Sequence, residues 1–306
     1  CERTVVGGFY RILWGFFLKL MIADRAAVIV DEIFDYHNLY AGCYVLVAGV
    51  LYSIQLYADF AACISISKGV ANLFGIQLSD NFHHPYLAVS VRDFWHRWHM
   101  SLSEWLKDYI YIPLGGSRKG RIRTFINLIL TFVVSGIWHG AGLRFAVWGL
   151  MHAVYQIIGQ LTQGVRRKAA KMLGLEEAVG VRIWIQRTWT FLCVMVAWII
   201  FRAENLRTGI QMISSMFRVQ NVWIFTNDAL LSLGLGWKEW VVLLASILLL
   251  LAVSLKQERG VSFSDMIFRQ PLYVRWALYL VVIFGIMTYG AYGMGYDSQA
   301  FIYGGF

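Results

Sequence analysis

Uninterrupted apolar runs limit most strongly what this chain can fold into. VVLLASILLLLAVSL (241–255) and YLVVIFGIMTYGAYGMG (279–295) carry no charged residue. Runs of this length contribute to spans of a hydrocarbon core about 30 Å thick. Inside that core every backbone polar group needs an internal partner, which leaves helices and closed barrels. The runs are continuous rather than alternating, so helices are expected and a barrel is not. Composition agrees. Hydrophobic residues make up 58% of the 306 residues and charged residues 15%, and mean hydropathy is +0.57. A soluble domain is nearer half apolar and a quarter charged. The expected class is an all-α, multi-pass transmembrane bundle, with one domain over residues 1–306.

Along the chain, an apolar helix is expected over 8–30, interrupted by Lys19, Asp24 and Arg25. Spans follow at 40–58 and, shorter and carrying Lys68, at 60–76. SDNFHHPYL (79–87) reads as a loop, marked by Pro85. Residues 89–112 read as an amphipathic helix and IPLGGSRKG (112–120) as a turn. Apolar helices are expected at 124–138 and 143–161, split by HGAG. A span near 187–201, an amphipathic stretch at 203–220, and spans at 240–255 and 275–295 complete the series. There is no internal repeat and no low-complexity linker. The chain starts at Cys1 inside a helical pattern, and the expectation is of a fragment with its N-terminal part absent.

The formal net charge is +9. Basic residues gather at the ends of apolar segments, in GSRKGRIR (116–123), RRKAAK (166–171) and VRIWIQR (181–187). That is the pattern of cytoplasmic loops in membrane proteins, with contact to anionic headgroups as a secondary reading. The clusters are short and border lipid-grade segments, which argues against nucleic-acid binding. The four cysteines (Cys1, Cys43, Cys63, Cys193) are dispersed, and small buried hydrophobes is the better reading of them.

FWHRWHMSLSEW (94–105) is too polar for a lipid-exposed span. On a helical wheel Phe94, Trp95, Trp98, Leu102, Trp105 and Leu106 share one face. Arg92, His96, His99 and Ser103 fall on the adjacent face, with His99 at the boundary. Tryptophans alone would suit an interfacial anchor. His96 and His99 are more than an anchor needs, and their face must meet water, a cavity or polar partners.

VVSGIWHGAGLRFAVWGLMH (133–152) is the second informative stretch. His139 follows an apolar helix of about fifteen residues, roughly 22 Å long and short of a full crossing. Gly136, Gly140 and Gly142 permit tight turns or close helix approach. If the basic clusters beyond both ends are cytoplasmic, the two helices form a hairpin with His139 near its tip. A histidine at depth is either functional or hydrogen-bonded across helices for packing, and residue type alone leaves both open. His152, a turn after Trp148, reads as a packing residue. His96 and His99 are three apart and could share a metal, but the nearby carboxylates, Asp93 and Glu104, project elsewhere on the wheel, so no metal site is expected.

FWHRWHMSLSEWLKDYIYIPLGGSRKG (94–120), followed by NLILTFVVSGIWHGAGLRFAVWGLMH (127–152), resembles the membrane-bound O-acyltransferases. The similarity is to the bacterial branch that includes the alginate O-acetylation and teichoic-acid D-alanylation proteins. LKLMIADRAAVIVDEIF (18–34), LYADFAACISISKGVANLFGIQLSDNF (56–82), WIIFRAENL (198–206) and the terminal FIYGGF agree with it. IYIPLGGSRKG and WIIFRA resemble the alginate type more. His96 departs from the pattern, where relatives often carry Arg or Asn, and the terminal GGF is slightly off it.

The resemblance implies a ring of helices around a central funnel, with re-entrant or interfacial amphipathic elements and the 89–112 helix lining it. It implies roles for His139, in WHG, and for His99, at a position held by His, Asn or Asp in the superfamily. A histidine suits the general base that takes a hydroxyl proton, its ordinary pKa of about 6.5 lying near operating pH. His139 is the expected base, and His99 orients the acceptor or polarises the thioester carbonyl. Arg92, His96, Trp98, Ser103 and Trp138 are the expected funnel residues. No bound cofactor is expected; an acyl thioester, acetyl-CoA or an acyl-carrier protein, enters from the cytoplasm as substrate. Expected partners are a polysaccharide acceptor, a secreted or membrane-anchored acetyltransferase and membrane lipids, and the expected location is the bacterial inner membrane. Transfer of acetyl to an extracellular polysaccharide leads, and D-alanyl transfer to teichoic acids stands second. Outside the enzyme class, a transporter using Arg92, His99, Lys107 and His139 is disfavoured because the HGAG break has no second copy. A non-catalytic scaffold for a secreted acetyltransferase is the remaining alternative.

Overall fold

A computed structural model describes residues 2–292. The all-α expectation holds, with no strand among the described residues. Five described helices are long and apolar enough to cross a membrane: Cys43–Leu73, Arg121–Trp138, Val179–Arg202, Trp237–Glu258 and Leu272–Tyr289. The terminal FIYGGF lies outside the described residues. The chain divides into two compact units, one from residues up to 79 together with those from 218 on, the other from 80–217.

In the first unit the helical run expected over 8–30 starts at Glu2 and reaches Asp35. It consists of α1 (Glu2–Phe17), a π-helical turn (Leu18–Ala23) and α2 (Asp24–Asp35). The two spans expected at 40–58 and 60–76 are one helix, α3 (Cys43–Leu73), about 46 Å long at 1.5 Å per residue. One of the charges that suggested interruptions, Lys19, links the helical run to α3, and Asp24 shares it. Lys19 Nζ lies 2.7 Å from Asp59 Oδ1 and 2.9 Å from Asp24 Oδ1, with Lys19 and Asp59 buried. A buried charge persists only when paired in this way. A π-turn frees a backbone carbonyl, and here Leu20 C=O accepts from Ala291 N–H at 3.0 Å.

The second unit holds α4 (Val91–Arg97), α5 (Met100–Leu106), α6 (Arg121–Trp138), α7 (Leu143–Leu161), α8 (Gln163–Met172), α9 (Val179–Arg202) and α10 (Leu206–Arg218). RRKAAK falls in α8, and VRIWIQR forms the first turns of α9 rather than a loop before it. The first unit is completed by α11 (Trp237–Glu258), α12 (Phe263–Phe268) and α13 (Leu272–Tyr289).

α6 and α7 form the expected hairpin, joined by residues 139–142. α6 begins at Arg121, three residues earlier than expected, and is about 27 Å long. His139 therefore sits at the end of a near-complete crossing, opposite the basic residues at the start of α6 and in α8. Two glycines set the spacing. A Cβ on Gly136 would lie 2.1 Å from the Phe145 carbonyl oxygen, and one on Gly149 2.0 Å from that of Phe132. No other residue lets the backbones approach so closely.

Candidate active site

His99 stands where the expected 89–112 helix breaks. α4 ends at Arg97, Trp98 is extended (φ −109°, ψ 128°), and His99 is left-handed (φ 43°, ψ 56°). Such backbone costs a non-glycine residue of order 1–3 kcal/mol and is held by its surroundings. The 79–87 loop does the holding. Met100 N–H donates to the Asn81 carbonyl at 3.0 Å, and His83 N–H to the Arg97 carbonyl at 2.9 Å. Ser101 N–H donates to Asn81 Oδ1 at 3.1 Å. Ser103 N–H then bonds the His99 carbonyl at 3.0 Å and starts α5.

A single wheel over 94–106 therefore fails past Trp98. Phe94, Trp95 and Trp98 are buried, as is Leu106, but Trp105 is 43% exposed and packs beside Trp138 at 5.8 Å between ring centroids. After Leu106 the chain runs through a π-turn, Lys107–Tyr111, into the expected 112–120 turn. Asn127 of α6 fixes that turn, donating Nδ2–H to the carbonyls of Leu114 (3.2 Å) and Gly116 (2.9 Å).

His139 caps α6 and is buried. Its ring meets Trp148 at 5.4 Å and 89°, and Phe201 at 5.4 Å and 78°. Trp148 in turn stacks on Trp198 at 5.4 Å, and Trp198 meets Trp98, next to His99, at 5.3 Å. Burial lowers the His99 imidazole to about 4, and the charge of nearby His139 adds to the shift. Burial lowers His139 to about 4 as well. The ordinary value of about 6.5 assumed from residue type does not survive the fold. At neutral pH both rings are uncharged, so both can accept a proton. Ser101 Oγ lies 3.5 Å from His99 Nδ1.

The structure thus brings His99 and His139 within electrostatic reach of one another. Trp98 is packed into the aromatic core and Ser103 is half-buried, its Oγ 3.4 Å from the Trp98 carbonyl. Arg92 and His96 are exposed on α4, and Trp138 is 66% exposed, continuing the outward stripe of Ile126, Leu130 and Val134.

A family model described as MBOAT, membrane-bound O-acyltransferase family, matches residues 2–201. The chain belongs to this family. It is 39% identical over 216 residues to a probable alginate O-acetylase AlgI of Pseudomonas putida, covering 69% of this chain and 41% of that protein. A peptidoglycan O-acetyltransferase of Helicobacter pylori is 35% identical over 224 residues, covering 72% of this chain and 40% of the relative. A teichoic acid D-alanyltransferase of Bacillus subtilis is 33% identical over 156 residues, covering 48% and 39%. The chain spans about two-fifths of the length of these curated relatives.

Within the family's matched region, several residues that shape the site gave no local signal. Asn81 is one. Arg144 is another, donating Nη1–H to the carbonyls of Ala203 (2.5 Å) and Glu204, its guanidinium 4.6 Å from the Phe145 ring centroid. It ties the start of α7 to the end of α9. Trp198 and Phe201 lie in WIIFRA, which the family resemblance flagged without giving them a role.

Proposed function

We propose that this chain carries the reaction centre of a membrane-embedded O-acyltransferase. It moves an acyl group, acetyl in the leading case, from a cytoplasmic thioester to hydroxyls of an extracellular or cell-wall polysaccharide. The observation that carries this reading is the pair of neighbouring imidazoles, His99 and His139, one in a left-handed break and the other at a hairpin tip. His139 takes the acceptor hydroxyl proton as its oxygen attacks the thioester carbonyl. The tetrahedral intermediate collapses with cleavage of the C–S bond, and the proton passes from His139 to the leaving thiolate. Neutral His99, hydrogen-bonding through its ring N–H, orients the acceptor or polarises the carbonyl. The surrounding Trp98, Trp148, Trp198 and Phe201 keep the dielectric low, which strengthens these interactions and discourages hydrolysis of the donor.

The two O-acetylating relatives support an acetyl group and a glycan acceptor, since each aligns over about 70% of this chain. D-alanyl transfer from a carrier protein is the second reading, supported by a relative aligned over 48%. The thioester is acetyl-CoA or an acyl-carrier protein, the setting is a bacterial inner membrane, and a secreted or membrane-anchored acetyltransferase is the expected partner. The test uses membranes containing the full-length protein and a labelled thioester. Label should enter the wall or exopolysaccharide fraction, and His139→Ala and His99→Ala should abolish or strongly reduce it while the protein still assembles. Unchanged labelling in both variants would sink the mechanism and favour the scaffold reading.

A further inference from the structure

We propose that His152 is a positioning residue for the transfer, coupling the helix that delivers His99 to the ring that supports His139. The inference rests on the acyltransferase reading above and adds a residue to it. His152 has no exposed surface, and it lies on the inner face of α7 with Phe145, Trp148, Gly149 and Gln156. A buried histidine needs a specific reason, because a leucine would fill the space without desolvating two ring nitrogens.

The reason is on its Nδ1, which accepts a hydrogen bond from Trp95 Nε1 at 3.2 Å. A nitrogen that accepts from an indole N–H holds no proton, so the neutral ring carries its proton on Nε2. Nε2 itself has no hydrogen-bond partner. The ring is held instead by aromatic neighbours, meeting Trp148 at 4.9 Å and 75° and standing parallel to Phe94 at 6.4 Å.

Trp95 and Trp148 are the two residues through which this matters. Trp95 lies on α4, four residues before His99, so fixing its indole fixes the rotation of the helix that leads into the left-handed break. Trp148 is one turn before His152 on α7 and forms the wall against which His139 packs. A chain of direct contacts therefore runs from Trp95 to His152, Trp148 and His139. It joins two segments about forty residues apart in sequence. His152 does not touch the reacting atoms; Trp148 stands between it and His139.

Packing alone predicts that any ring of similar size would serve at 152. Positioning predicts dependence on the Nδ1 acceptor. Full-length protein in membranes, with labelled acetyl-CoA as donor and the polysaccharide fraction as readout, separates the two. His152→Phe keeps the ring and removes the acceptor; Trp95→Phe keeps His152 and removes the donor. Each should lower kcat by about tenfold to a hundredfold, the scale of a roughly 1 Å misplacement, with donor KM and unfolding temperature near the parent's. The double variant should be no worse than the poorer single one, because both remove one bond. His152→Asn, which returns an oxygen near the Nδ1 position, should recover most of the loss. Parent-like kcat in Trp95→Phe, or additive losses in the double variant, would overturn the proposal, and Trp95→Phe decides it even if His152→Phe fails to fold. His139→Ala in the same membranes keeps the two claims apart. Retained transfer there refutes the acyltransferase mechanism, whereas lost transfer with a parent-like Trp95→Phe refutes only the role of His152.

Discussion

Replacing Gly149 with alanine adds one carbon at the tightest point of the α6–α7 hairpin. That Cβ would lie 2.0 Å from the Phe132 carbonyl oxygen and 2.8 Å from its carbon. The obstacle is backbone, so no side chain can swing away. To restore ordinary contact the helices must separate locally by about 1.4 Å. Overpacking of this kind costs about 1–3 kcal/mol. The displacement also moves Trp148, the immediate neighbour of residue 149, relative to His139, and a shift near 1 Å costs on the order of a hundredfold in rate. Gly164 in α8 is the internal control, since nothing lies within 4 Å of a Cβ built there. Alanine at 164 should be neutral or stabilising by up to about 1 kcal/mol. The assay is thermal unfolding of purified protein in nanodiscs, followed by tryptophan fluorescence, alongside acyl transfer at saturating donor. Gly149→Ala should unfold several degrees lower and turn over far more slowly, while Gly164→Ala should match the parent in both. Parent-like behaviour in Gly149→Ala, or equal damage in Gly164→Ala, would refute the close-approach argument.

Two further outcomes are expected. His99 and His139 are held near about 4 by burial, so the pH profile of kcat/KM should be flat from about 8 down to 6. Because their folded-state values lie below the unfolded value of about 6.5, the unfolded chain binds more protons between about 6.5 and 4. The stability the two rings contribute is thus complete above that window and lost as pH falls through it. An activity profile with an inflection at 6.5 would contradict the burial of the base. Lys19→Met removes the cation that the buried Asp59 shares with Asp24. Loss of one partner from a buried pair costs about 3–5 kcal/mol, which should appear as a sharp drop in folded protein recovered from membranes; recovery equal to the parent would show that the pair is dispensable.

Much of the fold was legible because lipid allows few solutions. The long apolar helices and the α6–α7 hairpin follow from run length and glycine placement. What escaped the sequence depends on partners distant along the chain. The two spans read at 40–58 and 60–76 are one helix, whose buried Asp59 pairs with a cation, Lys19, that lies forty residues earlier. The break at His99 was invisible to a wheel, since its hydrogen bonds come from Asn81 and His83 in a loop upstream. His152 read as a packing residue because its donor, Trp95, is 57 positions away. His99 and His139 stood out by residue type and position, with packing and chemistry equally open for His139; the resemblance supplied their roles.

The left-handed backbone at His99 constrains which residues the position can accept before any reaction is considered. Outside glycine, asparagine, aspartate and histidine enter this region several-fold more often than other residues, and β-branched side chains are excluded. Those are the three residue types that the family resemblance places here. Substitution at 99 is therefore filtered twice, first by a torsion angle and then by proton chemistry. An asparagine at 99 would keep the turn and remove the base. A valine, despite suiting the apolar surroundings, would unmake the turn that presents the side chain at all.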